Sequence, residues 1–260
     1  MEDEIFVSED FTLIIILLIL TGFAAGFINT LAGGGSILSL PVLILAGIPS
    51  PIANATNRVA ILLQNIIGTN RFYEHNKLEI GPVIHITIAA IIGSIAGSLL
   101  ASHIRSADFD VILGIILIFI LILMLRPRKQ LRADFKKIPS WLEFLIFLFV
   151  GFYGGFIQVG IGFILLATLN LVENYELVRA NAVKVFIVLS YTIFAVIIFA
   201  MNGKIVWKYG LILAIGNMLG AYVGVKAAIK GGERTVKLVL SVAILIACLK
   251  LFGLFALIGL

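Results

Sequence analysis

The chain repeats itself. Gly22-Phe-Ala-Ala-Gly26-Phe-Ile-Asn29 returns 129 residues later as Gly151-Phe-Tyr-Gly-Gly155-Phe-Ile-Gln158. Ala53-Asn54-Ala55 returns after 127 residues as Ala180-Asn181-Ala182. Gly93-x-x-x-Gly97 returns at the same spacing as Gly220-x-x-x-Gly224. Three matches in near-constant register indicate a duplication, which constrains the architecture before any local reading does. The units are 1–126 and 140–260, joined by a basic linker at 127–139.

Each unit is built for a bilayer. Of the 260 residues 61% are hydrophobic and 13% charged, and the mean hydropathy is +1.16. Soluble domains average about 25% charged residues. Apolar runs at 11–31, 80–101, 111–125, 141–160 and 235–260 read as spans. The class expected is an all-α polytopic membrane protein. The first ten residues carry five acids and no base, unlike the positive start of a signal peptide, so no cleavable signal is expected. The one cysteine, Cys248, excludes an internal disulfide and reads as packing. The net charge of +5 arises from lysines and arginines in short connections, a mark of topology rather than of nucleic-acid binding.

Both units read alike. A long segment (11–32, 141–160) meets a glycine break, and a short apolar segment follows (36–47, 163–172). Three further spans complete each unit, at 52–72, 80–102 and 109–126, then 177–201, 206–229 and 234–258. A segment of 10–12 residues makes roughly 15–18 Å of helix, too short for a core of about 30 Å. The short segments are therefore half-helices, and eight to ten membrane segments result.

Connections at 71–79, 126–137, 173–179 and 226–237 hold 13 Lys/Arg; those at 47–52, 103–108 and 202–208 hold three. The first set is expected in the cytoplasm, and both termini outside. Each unit crosses an odd number of times, so the two insert in opposite senses. Inverted repeats with broken helices characterise secondary transporters, whose substrate sites lie where the breaks meet.

The break LAGGGSILSLP frees backbone N–H groups at the start of a half-helix. With the positive end of the helix dipole these form an anion site. Gly34, Gly35 and Ser36 are expected there, with Ser36 also as cap, and Gln158 and Gly162 at the equivalent place. The alternative is that these glycines serve packing alone, which is the reading for Gly93/Gly97 and Gly220/Gly224.

In the helix that opens with Ser50 as cap and Pro51 at its first position, Asn54, Asn57 and Arg58 share one face. The equivalent helix carries Asn181 and Lys184. A cation inside a span is costly and marks function unless it snorkels to the surface; snorkelling or an internal partner is the reading for Lys250. All fourteen acids lie in tails, loops or helix ends, so the ligand expected is an anion. His85 is expected to be a hydrogen-bonded structural residue rather than a proton carrier. No metal-binding or nucleophile motif is present, and no cofactor is expected.

GFAAGFINTLAGGGSILSLPVLILAGIPSPIANATNRVAIL resembles the opening motif of the sulfite exporter TauE/SafE family of bacterial permeases, and GFYGGFIQVGIGFIL with RANAVKVFIVL resembles its second-half motif. The resemblance implies transport of a small sulfur-containing anion, such as sulfite, thiosulfate or an organosulfonate like sulfoacetate, across the inner membrane. Export is the direction expected, with alternating access and a coupling proton or ion. An anion channel and a non-transporting assembly factor are the alternatives. The substrate shell expected is Asn29, Gly34, Gly35, Ser36, Asn54, Asn57, Arg58, Gln158, Gly162, Asn181 and Lys184. Beyond substrate and lipid, no partner is specified.

Overall fold

A computed structural model describes the backbone over residues 2–125 and 138–251, and side chains over 12–116 and 138–231. The described residues form nine α-helices: α1 (Glu2–Leu31), α2 (Ser36–Leu45), α3 (Ser50–Glu74), α4 (Ile84–His103), α5 (Ser106–Leu125), α6 (Ser140–Phe156), α7 (Ile161–Leu171), α8 (Leu177–Met201) and α9 (Trp207–Leu251). Four segments are long and apolar enough to cross a membrane: Thr12–Leu31, Gly81–His103, Leu177–Met201 and Trp207–Gly231. The protein is an all-helical, polytopic membrane protein. The 126–137 connection and 252–260, together with the side chains of Cys248 and Lys250, lie outside the described residues.

Side-chain register fixes the helix directions. Gly22 of α1 abuts the α9 backbone at Leu213 to Asn217, and Gly224 abuts Phe27 and Thr30. Along α3, Thr56 meets Val206, Gln64 meets Asn217 and Arg71 meets Tyr222. Thus α1, α3 and α9 run the same way. Gly93 and Gly97 of α4 abut Leu148 and Phe152 of α6 in rising order. Glu79, just before α4, pairs with Arg179 at the start of α8, and Ser94 bonds Tyr191. So α4, α6 and α8 run together. Against α3, α8 runs in reverse: Arg58 lies by Phe199 and Gly68 by Val185. The repeat partners α3 and α8 are antiparallel, and the repeat is inverted.

The units are interlocked rather than side by side. The first helix of each packs on the fourth of the other, α1 on α9 and α6 on α4. Small residues make this possible. A Cβ on Gly26 would strike the Asn217 backbone, one on Gly97 that of Phe152, and one on Gly220 that of Phe23. Such close approach is how membrane helices gain van der Waals contact when lipid is as apolar as the side chains. The packing role read for Gly93/Gly97 and Gly220/Gly224 is what these contacts describe.

Directions also sort the connections. Those at 71–79 and 173–179 meet at one end through Glu79 and Arg179. At the other, Ser50 donates to Asp110 and Val206 meets Thr56.

Four expectations need correction. The separation of 206–229 from 234–258 is absent, since α9 continues unbroken through Lys230-Gly231-Gly232-Glu233. Two glycines cost only about 2 kcal/mol and no proline stops the helix. α6 ends at Phe156, before the expected 160, because Ile157 is extended (φ −133°, ψ 115°). Ser36 is not a side-chain cap; Gly35 precedes it in helical conformation and nothing caps from a side chain. Ser50 likewise is the first helical residue after Pro49, and its hydroxyl serves Asp110 instead.

Candidate functional site

The two breaks meet. The first occupies residues 32–35 and turns at Gly33 (φ +86°); the second occupies 157–160 and turns at Gly160 (φ +74°). A left-handed backbone suits glycine because it lacks Cβ. Gly33 packs backbone to backbone on Gly162, and the Phe163 ring covers Gly34. No side chain fits between the two chains there.

A helix ending inside a protein leaves its last carbonyls without intrahelical partners. Here each set is taken up by the other unit. Arg58 of α3, fully buried, donates from Nη1 to the Gly154 carbonyl and to Gln158 Oε1 at 2.6 Å. Its Nη2 donates to the Gly155 carbonyl at 2.9 Å. Asn54 donates to the Phe156 carbonyl at 3.0 Å. Together they cap the C-terminal end of α6. Lys184 of α8 does the same for α1, with Nζ donating to the carbonyls of Asn29 at 2.8 Å and Thr30 at 3.1 Å. It also donates to its neighbour Asn181 Oδ1 at 2.7 Å, while Asn181 donates to the Leu31 carbonyl at 3.0 Å. A cation at a helix C-terminus also complements the dipole.

Neither cation meets a carboxylate. Ion pairs lie elsewhere, at Arg71–Glu74, Arg105–Asp108 and Arg179–Glu79, and His85 faces Glu143. His85 is thus hydrogen-bonded, to Glu143 at 3.1 Å. Donors remain on the opposite side of the break. Among the described residues, the backbone N–H groups of Gly34, Gly35 and Ser36 donate to no carbonyl, and Arg58 Nε is buried without a partner.

Ten of the eleven residues expected at the site therefore gather at or beside the breaks. Arg58, Asn54 and Gln158 form one cluster and Lys184, Asn181 and Asn29 the other, with Gly34, Gly35 and Gly162 at the crossing. Ser36 lies at its edge and lines a cavity of about 290 Å³ with Val159, Leu40, Pro41 and Leu113. Asn57 is turned to Ser39, whose hydroxyl it accepts at 2.8 Å. Behind the breaks lie Gln64, which the sequence places on the same side of its helix as Arg58, and Asn217 and Tyr191, which sequence reasoning missed. Gln64 accepts from Asn29 at 3.4 Å and from Asn217 at 3.2 Å; Tyr191, its repeat equivalent, donates to Gln158 at 3.4 Å. Asn217, polar within an apolar run, was the available signal.

Interlocked halves, paired broken helices and buried cations braced by backbone define a membrane transporter of the broken-helix kind. The model of the family described as "Sulfite exporter TauE/SafE" matches residues 18–251, and the chain belongs to that family. It is similar to a "Probable membrane transporter protein" of Haemophilus influenzae, 28% identical over 223 residues that cover 85% of this chain and 88% of that one. It is also similar to the "Probable membrane transporter protein YfcA" of Escherichia coli K12, 28% identical over 224 residues (85% and 83%). A third relative, ORF9 of a Sinorhizobium species, is 26% identical over 237 residues (89% and 91%). These relatives bear the names of transporters, not of enzymes. No solved structure matches the chain.

Proposed function

We propose that the protein is a secondary transporter for a small sulfur-containing oxyanion, sulfite or an organosulfonate such as sulfoacetate, and that it exports this anion across a bacterial inner membrane. The observation that carries the reading is the pair of buried cations held only by neutral acceptors at the meeting of two helix breaks. A buried charge without a counter-charge is expensive, and an anion placed there would supply one. The unpaired N–H groups of Gly34, Gly35 and Ser36 add donors at the positive end of α2. A sulfonate presents three acceptor oxygens, and an arginine fork suits two of them. The anion would compete with the carbonyls of α6 and α1 for Arg58 and Lys184. Binding would therefore loosen the braces that fix the two first helices, which couples occupancy to alternating access. Asn29, Asn54, Gln158 and Asn181 complete the shell, and Asn57 orients α2 through Ser39. A coupling proton or ion drives the cycle.

The test is flux in proteoliposomes. Purified protein should accumulate labelled sulfite or sulfoacetate against a gradient when a proton or ion gradient is imposed. Equilibration without accumulation would indicate an anion channel. Neither flux nor stabilisation by sulfite, thiosulfate, sulfoacetate or taurine would favour a non-transporting factor. A ligand that binds only the folded protein must raise its melting temperature.

A further inference from the structure

At the end of the molecule where the 71–79 and 173–179 connections meet, a cleft of about 250 Å³ opens between the last turn of α3 and the middle of α9. Its walls carry three cations, Arg71 from α3 and Lys226 and Lys230 from α9, with His75 just beyond the end of α3 beside them. The Arg71 guanidinium is held in place. It bonds Glu74 at 2.9 Å and lies 4.4 Å from the centre of the Tyr222 ring, a cation–π arrangement that a partly exposed arginine adopts only with its aliphatic stem fixed. Glu74 offsets one charge, and among the described residues no other carboxylate lines the cleft. The neighbouring cavity differs. It holds Glu79 and Glu176 beside Lys77 and Arg179, with Arg179 committed to Glu79, and offers an anion no net attraction.

The floor of the basic cleft is apolar, Val225 and Ile229. From it an apolar ridge runs down α9. Trp207, Leu211, Ile215, Leu219 and Val223 stand four residues apart and are each 41–55% exposed, so they follow one face of the helix. A hydrated inorganic anion would use the cations and leave the ridge idle. An amphiphile would use both.

We infer that this cleft is a binding site for the phosphate headgroup of an anionic phospholipid, its acyl chain lying along the α9 ridge. Arg71, Lys226 and Lys230 provide the charge, and Tyr222 sits at the headgroup level that interfacial aromatics favour. Basic pockets between spans on the positive-loop side attract such headgroups. The site is separate from the breaks and does not depend on the substrate assigned above.

The experiment uses the full chain in phosphatidylcholine nanodiscs or in detergent, titrated with phosphatidylglycerol, phosphatidylcholine or inorganic phosphate, with the melting temperature as readout. Phosphatidylglycerol should stabilise the wild type beyond phosphatidylcholine, and inorganic phosphate should not. Lys226→Gln/Lys230→Gln should melt as the wild type does in phosphatidylcholine and bind phosphatidylglycerol roughly tenfold or more weakly. Should the double glutamine variant prove unstable, Lys226→Arg/Lys230→Arg keeps the charge and should retain the lipid response. Three results overturn the inference. One is a glutamine variant with the full phosphatidylglycerol response. Another is an arginine variant without that response. The third is a wild type that inorganic phosphate stabilises as well as the lipid does, with that response lost in the glutamine variant, which would make the cleft a free-anion site.

Discussion

The two breaks are built to one plan from different parts. At the second, an arginine reaches two carbonyls and the side chain of Gln158, with Phe199 beneath it at 5.6 Å. At the first, a lysine reaches two carbonyls and an asparagine of its own helix. Lys184 aligns with Asn57, one residue before Arg58, which is about 100° around a helix. The longer arginine makes up that rotation. The residues that open the breaks also diverge. Gln158 turns inward to the cation, whereas Asn29 offers its carbonyl to Lys184 and its amide to Gln64. Inversion thus preserves the bracing of helix ends and leaves the chemistry of each end free to differ.

The effect at the crossing itself should be among the largest. Gly33→Ala adds a Cβ both in left-handed backbone, about 1–2 kcal/mol, and against Gly162, a further 1–3 or so. Gly47 also has positive φ (+84°), but a Cβ there meets nothing within 4 Å. Gly47→Ala should therefore cost only about 1–2 kcal/mol. Melting temperatures of the two variants should separate clearly; equal losses would mean that the breaks do not pack as described.

Next come the braces. Arg58→Met strands the Gly154 and Gly155 carbonyls at about 1–3 kcal/mol each and releases Gln158. Lys184→Met strands those of Asn29 and Thr30; Asn54 and Asn181 still hold Phe156 and Leu31 in the two variants, but only Arg58→Met also gives up an aromatic contact, with Phe199. Arg58→Met should lower the melting temperature more than Lys184→Met. The reverse order would contradict the view that the second break is the more tightly tied.

The smallest effect belongs to Arg105→Ala. Its bidentate pair with Asp108, at 2.8 and 3.1 Å, holds that carboxyl below its usual range, but the arginine side chain is 83% exposed. Surface pairs contribute little, and no change in melting temperature or flux is expected.

Much of this was legible in the sequence. The duplication predicted which helices correspond, and of the connections grouped by their Lys/Arg content, 71–79 and 173–179 meet at one end. Arg58 and Lys184 stood out because a cation in an apolar run is rare. Three features were not legible. Exchange of partners between the units depends on where Gly22, Gly26, Gly151 and Gly155 meet backbone, which spacing alone does not reveal. The partners of the cations are carbonyls, and a sequence does not show carbonyls. The unbroken α9 runs through two glycines, whose propensity is only a weak prior.

The central claim is that an oxyanion binds at the braced breaks through Arg58. Isothermal titration of sulfite and sulfoacetate into wild type, Arg58→Lys and Arg58→Gln tests it most directly. Loss of a charge-assisted bond is worth about 1.5–3 kcal/mol, so Arg58→Gln should bind at least roughly tenfold more weakly. Arg58→Lys, which keeps the charge and loses the fork, should fall between. Wild-type affinity in a monodisperse Arg58→Gln protein would show that the arginine serves only to cap α6, and would contradict the account.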